Sequence, residues 1–584
     1  MKPLPTDKTC VENSAVPVRI ARHASLCLGL LAALAGCGSP APTIKAPPGL
    51  ASQSSSGSTE DLLASALTML DQLERYNEQK LQLPGKTADG KEPQFMSVVR
   101  FANPETLDTV VDRLNLWSEG IKHEDWKPDP LLQTLPADLV KKLPAMERLS
   151  STSYSRDSGG PGFALHDGWA LQQMLWLRDA AQGAAGSKID ELERARNLFD
   201  WTVRNIQLVD PAAKISADLP VTWRELPMDP WHALLLGRGL PQHRAWIFML
   251  LARQQELDVV LLARENPEKP GQWDEWAAAL VDKKTPAQLH LFEPELGVPI
   301  PGPGGKGIAT LAQVQADDAL LRALDADAEH PYPLKSADLK KLTALVETGP
   351  PSVARRMHEL QSHQTVANRI VLSADTPHLL KRLETAGLPA RAWERPYRNQ
   401  AEFARLSQPM KETYQRLLLP LEDVPLLWNG RASQLRARYT GERNAFSYYL
   451  RVHIPDEAIE QGRDHMGNLF GAPQKRLIRV AKGHAAYWMG LASYETGDYR
   501  AALNHLQKRT LEAQPDGPFT TGARYNLARV HEALGEKSLA DGDPTEAKSQ
   551  FARAAEILSD PADSASPTRA GNLLRARWLR EKAK

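Results

Sequence analysis

Apolar residues at helical spacing open the first patterned part of the chain. From Ser58, the segment STEDLLASALTMLDQLERY places an acidic capping pattern ahead of regularly spaced leucines, which predicts an amphipathic helix. Similar patterns predict helices at 104–120, 137–148 and 168–184, separated by Pro- and Gly-rich breaks such as DSGGPG. We therefore expect residues 58–186 to form a helical N-terminal region.

From residue 188 the pattern changes to helices followed by strands. The segment IDELERARNLFDWTVRNIQL carries apolar residues along one face of a long helix, and the apolar run Trp246–Ala252 has the length of a buried helix. Next, Asp258–Ala263 is rich in β-formers, and 276–282 and 287–294 resemble two hairpin arms joined by the polar KKTP. The predicted order is helix, helix, then strands.

The region 308–475 mixes both patterns. Its spacing predicts helices at 308–325, 336–347, 350–365, 375–387 and 410–418. Segments rich in β-formers predict short strands at 368–375, 436–442 and 446–455. The last two are expected in a hairpin or a three-stranded patch. No catalytic set of residues stands out here.

From residue 480 a helix–turn–helix pattern occurs twice. The repeated positions are Gly490, Gly497, Ala502 and Leu506 in the first copy and Ala528, Gly535, Ala547, Phe551 and Ala554 in the second. Small residues at such points let paired helices pack closely. The pattern resembles the tetratricopeptide repeat, which implies a helical array over 476–584, capped by a final helix at 566–582. A generic bundle of helical hairpins is the alternative.

Composition limits the possible functions. The 584 residues include 71 Lys+Arg and 71 Asp+Glu, so no net charge draws the chain to nucleic acid or anionic lipid. The three cysteines, Cys10, Cys27 and Cys37, all lie near the N-terminus. The rest of the chain therefore has no internal disulfide, no cysteine–metal site and no cysteine nucleophile. We predict no metal and no cofactor.

The N-terminal residues have the pattern of an export signal. Arg19 and Arg22 precede the apolar run ASLCLGLLAALAG, which is too short to span a bilayer. The run ends in LAGC at Cys37 and resembles the bacterial lipoprotein signal, which implies a signal peptide over 1–36 and lipidation of Cys37. A short buried helix or a simple secretion signal is the alternative.

The residues after the lipidation signal predict a tether. The Pro-, Ser- and Gly-rich residues 37–57 have the composition of a flexible linker that would hold the folded part away from the membrane. Gly38 lacks the charge of the aspartate that often marks inner-membrane retention in such lipoproteins. The resemblance therefore favours the outer membrane over the inner one.

One stretch suggests the ancestry of the central region. ARNLFDWTVRNIQ, LLLGRGLPQHRAWIFMLLARQQELDVV and WAAALVD…LHLFEPELG occur in this order. They resemble the core of the transglutaminase-like superfamily, a branch of the papain-like fold. There a nucleophilic cysteine begins the second helix, and the following strands carry a histidine and an acid. The resemblance implies a domain of this kind over 187–307, within a predominantly helical α+β chain.

The catalytic roles of that family fall on unsuitable residues. The alignment places the nucleophile at Pro241, beside Gln242, and neither side chain can attack a carbonyl. The histidine position falls at Trp276, which cannot shuttle a proton at neutral pH. The acid position falls at Glu293, where a carboxylate remains. Because a triad acts as a unit, the resemblance implies a degenerate site.

Other residues offer weak substitutes. We interpret His243 as a solvated or capping residue at a helix start and His232 as a packing residue beside Trp231, while His290 lies on the second hairpin arm. The chain has no His-Glu-x-x-His motif for zinc. PIPGPGGKGIAT lacks the spacing of a phosphate-binding loop, so we interpret Lys306 as solvated in a turn. DGDPTEA predicts a capped turn between helices rather than a calcium loop.

These observations predict a membrane-anchored lipoprotein of the cell envelope. It would act as a non-catalytic binding or scaffold protein, with protein or peptide partners on its repeats and none among nucleic acids. Two alternatives remain open at the level of sequence. One is an envelope peptidase or cell-wall hydrolase with a non-cysteine active site. The other is a purely structural central domain, with binding left to the repeats.

Overall fold

Helices make up 59% of the structure, and a small mixed sheet accompanies them. The predicted predominantly helical α+β class is therefore confirmed at this level. This computed structural model describes residues 59–73, 76–82, 95–101, 105–123, 126–141, 162–269, 271–284, 286–364, 369–463 and 468–584. These residues belong to one compact unit, Leu50–Lys584. The predicted signal (1–36), Cys37 and the tether (37–57) lie outside the described residues.

The helices, in chain order, are α1 (Thr59–Gln72), α2 (Glu105–Gly120), α3 (Ala137–Val140), α4 (Leu165–Ala185), α5 (Glu191–Asn205), α6 (Pro230–Leu236), α7 (Pro241–Gln254), α8 (Leu311–Ala316), α9 (Ala319–Arg322), α10 (Arg355–Ser362), α11 (Thr376–Thr385), α12 (Arg395–Phe403), α13 (Gln408–Glu422), α14 (Pro425–Leu435), α15 (Ala445–Val452), α16 (Asp456–Gln461), α17 (Ala472–Glu495), α18 (Tyr499–Leu503), α19 (Thr520–Ala540), α20 (Pro544–Leu558) and α21 (Arg569–Ala583). A π-helical segment, Asn504–Glu512, continues α18.

The strands are β1 (Tyr76–Gln82), β2 (Phe95–Phe101), β3 (Gln207–Leu208), β4 (Arg238–Gly239), β5 (Val259–Glu265), β6 (Trp273–Val281), β7 (Leu289–Glu293), β8 (Val298–Pro299), β9 (Leu342–Val346) and β10 (Ala390–Ala392). Six of them form the main sheet in the order β10-β9-β5-β6-β7-β8. Within it β10 and β9 are parallel and the other neighbours are antiparallel. Helix α7 packs against β5 and β6.

The strongest sequence patterns give the expected elements. The helices α1, α2, α4, α5 and α7 fall where periodicity predicts them, and β5, β6 and β7 follow in the predicted order. The predicted hairpin arms are β6 and β7, with Leu280 opposite His290 in antiparallel register. Asp190 caps α5, since its carboxylate accepts the Glu193 N–H at 2.9 Å. Local capping and side-chain pattern agree in this part of the chain.

Two predictions of helix are wrong in part. The predicted helix 336–347 is a short 3₁₀ turn, Ser336–Leu339, followed by strand β9. All five residues of β9 are buried, and periodicity cannot distinguish such a run from a buried helix. The N-terminal region, predicted as helical, contains the antiparallel hairpin β1–β2. Of the predicted helix 137–148, α3 covers four residues and the part after Lys141 lies outside the described residues.

The predicted β patch at 436–442 and 446–455 is also wrong. Residues 445–452 form α15, and its start is fixed by a reciprocal cap. Asn444 Oδ1 accepts the Ser447 N–H at 3.0 Å, while Ser447 Oγ accepts the Asn444 N–H at 3.2 Å. The buried Tyr449 hydroxyl donates to Gln434 Oε1 at 2.7 Å. Capping and tertiary packing therefore override the β propensity of the aromatic residues.

The predicted strand at 368–375 has no partner strand among the residues the structure describes. Glutamine side chains satisfy its backbone instead. The N–H groups of Ile370 and Val371 donate to Gln364 Oε1 at 2.7 Å and to Gln254 Oε1 at 3.1 Å. Amide side chains therefore accept the hydrogen bonds that a neighbouring strand would accept, and the described residues of this segment do not join the main sheet.

The C-terminal helices, α17 to α21, form an array in which small residues allow close packing. A Cβ on Gly490 would lie 2.7 Å from Leu506, and a Cβ on Gly535 would lie 2.6 Å from the ring of Phe551. The two contacts have the same spacing along the chain, so Gly535 is the counterpart of Gly490 in the structure, whereas the sequence pattern aligned Gly535 with Gly497. Gly497 has a φ of 75° in the turn between α17 and α18, a backbone conformation that favours glycine.

Long-range contacts tie the chain ends to the middle. Arg436, after α14, pairs with Asp71 at the end of α1 and with Asp179 on α4. On α21, Arg577 donates to the carbonyl oxygen of Ala323 at 2.5 Å. The final helix also contributes Leu574 to the core cluster that contains the buried residues of the sheet.

Candidate functional site

Glycines and a folded-back histidine build the turn that leads into α7. Gly237 has a φ of 64° and ends α6. A Cβ on Gly239 would lie 3.1 Å from the Cβ of His243, so a side chain there would crowd the histidine. Pro241 is the first residue of α7, where its fixed φ and missing N–H suit a helix start.

A cleft of about 370 Å³ opens at this end of α7. Its walls come from the loop before α6, the first turn of α7, the start of β6, and the segment from β10 into α12. The polar and aromatic residues that line it are Arg224, Gln242, His243, Gln272, Trp273, Glu275, Trp393, Glu394, Arg395, Arg398, Asn399 and Glu402. Among the described residues of the lining there is no thiol, hydroxyl or amine side chain, so the cleft lacks a cysteine, serine, threonine, tyrosine or lysine nucleophile.

Glu275 is an acid of the cleft with several partners. Its Oε1 accepts the Trp393 indole N–H at 2.9 Å and the Arg395 Nε–H at 3.2 Å, and its Oε2 accepts from Arg395 Nη2 at 3.2 Å. These charge-assisted bonds link the start of β6 to the start of α12. The carboxylate is therefore engaged in holding two walls of the cleft together.

A β-bulge explains why Trp276 does not line the cleft. In the pairing of β5 with β6, Leu262 faces Ala277 and Ala263 faces Glu275, so Trp276 is the extra residue. A bulge re-aims side chains. Trp276 is buried, and its indole N–H donates to the Tyr332 hydroxyl at 2.7 Å. Glu275 of β6 lines the cleft, one position earlier than the alignment placed the catalytic histidine.

His243 lines the cleft but serves the backbone. Its Nδ1 accepts the Leu240 N–H at 2.9 Å, and its Nε2 lies 3.2 Å from the Met228 carbonyl oxygen. Burial, with help from the Arg395 charge, lowers the pKa of His243 to about 3. The imidazole is therefore neutral at neutral pH and acts as a helix cap. The capping interpretation is confirmed, while the residue is buried rather than solvated.

Glu293 lies outside the cleft, at the end of β7. Its carboxyl accepts the Leu296 N–H. Burial, followed by the charge of Glu295, raises the pKa of Glu293 to about 8. Nearby, the Arg244 guanidinium donates to the carbonyl oxygens of Ile206 at 2.9 Å and Pro294 at 3.1 Å. Glu293 is thus a buried, mostly protonated acid beside a structural arginine.

The three positions carried over from the resemblance do not form a shared site wall. Pro241, Trp276 and Glu293 are all absent from the lining of the cleft. Gln242, the neighbour of Pro241, does line it. The location of the cleft at the start of α7 matches the sequence expectation, but its chemistry comes from other residues.

The remaining histidines have structural contacts. The Nδ1 atom of His232 lies 2.7 Å from Asp229 Oδ1, and the imidazole stacks on the Phe403 ring with ring centroids 5.4 Å apart. These contacts confirm its packing role. On β7, the Nε2 of His290 lies 3.8 Å from Asp282. Neither histidine lines the cleft.

The inner face of the array, defined here as the face of α17 and α19 that packs on α5, is closed by ion pairs. Arg204 of α5 binds Asp200 at 2.9 Å and Glu495 of α17 at 2.5 Å. Arg529 of α19 binds Asp200 at 2.5 Å and Glu532 at 2.9 Å. Burial alone would raise the pKa of Asp200, but the charges of Arg529 and Arg204 hold it well below its usual range.

Backbone contacts close the inner face further. The Gly522 N–H donates to Gln207 Oε1 at 2.8 Å, and the Asn526 amide donates to the Arg204 carbonyl oxygen at 3.1 Å. Helix α17 is buried over a long run of consecutive residues, as expected for a helix enclosed on several sides. The protein's own α5 therefore occupies the surface that the array offers on this side.

Two sequence motifs have the simple roles expected of them. Lys306 is exposed after a 3₁₀ turn, Pro303–Gly305. Asp543 caps α20, since its carboxylate accepts the Glu546 N–H at 3.0 Å. In the part of the chain that the structure describes, no group of three His, Cys, Asp or Glu side chains is arranged to hold a metal ion. None of the helices described has both the length and the apolar character needed to cross a bilayer.

Sequence analysis missed most of the residues that form the cleft. Glu275 was one residue from the predicted position, and strand alternation alone would place it on the opposite face from Trp276. Trp393 and Arg395 come from AWERPYRN, a segment without a recognisable motif. Their only signal is a tryptophan and several charges beside a proline.

In comparisons with known proteins, no family model, no curated protein and no solved structure matches this chain.

Proposed function

We propose that this protein is a membrane-anchored lipoprotein of the cell envelope that binds a protein or peptide ligand without chemical turnover. In this proposal, residues 187–307 are a degenerate transglutaminase-like domain and residues 476–584 are a tetratricopeptide-like array. The observation that carries it is the cleft at the start of α7. It is large enough for a small ligand, yet its lining lacks thiol, hydroxyl and amine side chains.

Two titratable groups of the cleft, His243 and Glu275, are poorly suited to acid–base catalysis. A histidine with a pKa of about 3 is a weak base at neutral pH, and the Nδ1 lone pair of His243 is already used by the Leu240 N–H. Glu275 is held by Trp393 and Arg395. Binding is the role that this arrangement favours.

The array supports the scaffold part of the proposal. Close packing at Gly490 and Gly535 is the kind of contact that a tetratricopeptide-like repeat requires. Because α5 occupies the inner face, partner binding by the array would use the opposite side. A groove of about 1070 Å³ lies there between the π-helical segment, α19, α20 and α21, with Leu511, Leu527 and Ile557 among its apolar residues.

The anchor is proposed from the signal pattern that ends at Cys37, and the outer membrane is favoured over the inner one. The test is intact mass and cell fractionation of wild type beside Cys37→Ala, with Cys27→Ala as the matched control. We expect wild type and the control to begin at Cys37 with added acyl mass and to sediment with membranes. The Cys37→Ala variant should be unprocessed or released. A soluble, unacylated wild type would contradict the anchor.

The binding role is tested against the hydrolase alternative. Purified protein is incubated with isolated cell-wall material and envelope proteins, and both retained and released material are analysed by mass spectrometry. We expect retained peptides and no new products. Products that disappear in Glu275→Gln and persist in the exposed control Glu457→Gln would establish a hydrolase instead.

A further inference from the structure

Four polar side chains of the cleft bond to no other residue that the structure describes. They are the side chains of Arg224, Gln242, Gln272 and Glu402, which no hydrogen bond or ion pair reaches within the described part of the chain. Unengaged groups on one concave surface are available to a ligand. They distinguish this cleft from the ion-paired inner face of the array.

The other charged groups of the cleft are already paired. Arg395 binds Glu275, and Arg398 binds Glu394 with Nε 3.0 Å from the carboxylate. The free charges are therefore one guanidinium, on Arg224, and one carboxylate, on Glu402. A ligand that matches both carries one negative and one positive group.

Two amides in the cleft point to a further feature of the ligand. The side chains of Gln242 and Gln272 line the cleft, and an amide group can both donate to and accept from a peptide group.

We propose that the cleft binds a short peptide with free ends, of two or three residues. Its carboxylate pairs with Arg224, its ammonium group pairs with Glu402, and its peptide groups bond to the amides of Gln242 and Gln272. The volume of about 370 Å³ suits a ligand of this size. This inference rests on the proposed binding function and specifies the ligand class of the same cleft.

The mixed charge excludes simpler ligands. A strongly anionic ligand would meet Glu402 and the carboxylates of Glu275 and Glu394, and a purely cationic ligand would meet Arg224. A zwitterion places each charge beside its opposite and leaves none unpaired.

The test is calorimetric titration of the full-length protein, purified in detergent, with tri-alanine and with N-acetyl-tri-alanine amide. We expect tri-alanine to bind and the blocked peptide to bind at least about tenfold more weakly, because each lost charge pair is a charge-assisted bond. Arg224→Gln and Glu402→Gln should each weaken tri-alanine binding about tenfold. The exposed controls Arg405→Gln and Glu457→Gln should leave it unchanged.

Three results would overturn the inference. The first is equal affinity for the free and the blocked peptide. The second is unchanged binding in both Arg224→Gln and Glu402→Gln. The third is no tri-alanine binding by a protein that still retains envelope peptides, an outcome that removes the zwitterion and keeps the proposed binding function. If nothing is retained from the envelope either, both proposals fall.

Discussion

The cleft at the start of α7 and the inner face of the array are both rich in charge, yet they use it in opposite ways. On the inner face, Arg204 and Arg529 share Asp200 and each has a second carboxylate. In the cleft, Arg224 and Glu402 line the same cavity without pairing with described residues. Ion pairs between helices hold those helices together, whereas charged side chains without a protein partner at a cavity can bind a ligand.

The two regions also differ in what their sequence motifs predict. The repeat pattern of the array indicates small residues at helix contacts, and Gly490 and Gly535 lie at such contacts, but the inner face of the array is covered by α5. The degenerate triad pattern predicts its residues poorly, but the place it indicates is an open cleft. A pattern can therefore locate a site without naming its chemistry.

The largest expected effect comes from opening the inner face. Asp200→Ala removes the carboxylate shared by Arg204 and Arg529, and we expect a loss of about 4 kcal/mol in the free energy of unfolding. Because the folded pKa of Asp200 is lowered, its contribution is present above its unfolded pKa and is lost as pH falls. Denaturant unfolding at neutral pH measures the effect. Asp541→Ala, on an exposed residue, is the control, and equal stability of the two variants would refute the pairing.

A second prediction concerns the acid that the resemblance assigned to a catalytic site. Glu293, with a folded pKa of about 8, binds its proton more tightly when folded than when unfolded. Its contribution is therefore present below the unfolded pKa, near 4.5, and is lost as pH rises toward 8. Relative to wild type, Glu293→Gln should gain about 4 kcal/mol of stability between pH 5 and pH 9. Parallel stability curves for the two proteins from pH 5 to 9 would contradict the burial.

A smaller effect is expected inside the array. Gly535→Ala places a methyl group against the ring of Phe551. Overpacking costs about 1–3 kcal/mol, partly offset by the better helix propensity of alanine, so we expect a net loss of about 1 kcal/mol. Thermal unfolding measures it. The same change in a Phe551→Leu background should cost less, and an unchanged cost would exclude this contact as the cause.

The smallest effect on stability is expected in the cleft. Gln242→Ala removes a side chain that bonds to no described residue, so the free energy of unfolding should stay within about 0.5 kcal/mol of wild type. Tri-alanine binding should weaken in the same variant. A large loss of stability would show that Gln242 supports the fold, and the contrast between cleft and inner face would weaken.

The fold could be predicted where local signals agree, and the site could not. Capping residues and periodicity predict α5, α7 and the β6–β7 hairpin. The position of Trp276 depends on a bulge in the pairing with β5, and a single sequence does not contain that register. The backbone N–H of Val371 depends on a glutamine from another element, Gln254 of α7. Tertiary partners decide such cases.

The same limit applies to the walls of the cleft. Glu275 and Arg395 are far apart in sequence and meet only because β6 and α12 border the same cavity. No local pattern links them. A motif search finds residues that lie close along the chain, whereas this cleft is assembled from several separate segments.

The ties between the chain ends and the middle have a consequence for biosynthesis. Arg436, which binds Asp71, is synthesised only after most of the chain has been made. Arg577, which donates to the Ala323 carbonyl oxygen, is synthesised later still. Contacts between such distant residues slow folding because long loops must close first. During synthesis α1 is complete long before its arginine partner exists. The nascent chain therefore carries early-made helices with exposed apolar faces for much of translation, and chaperones that shield such faces would find their substrate in this interval.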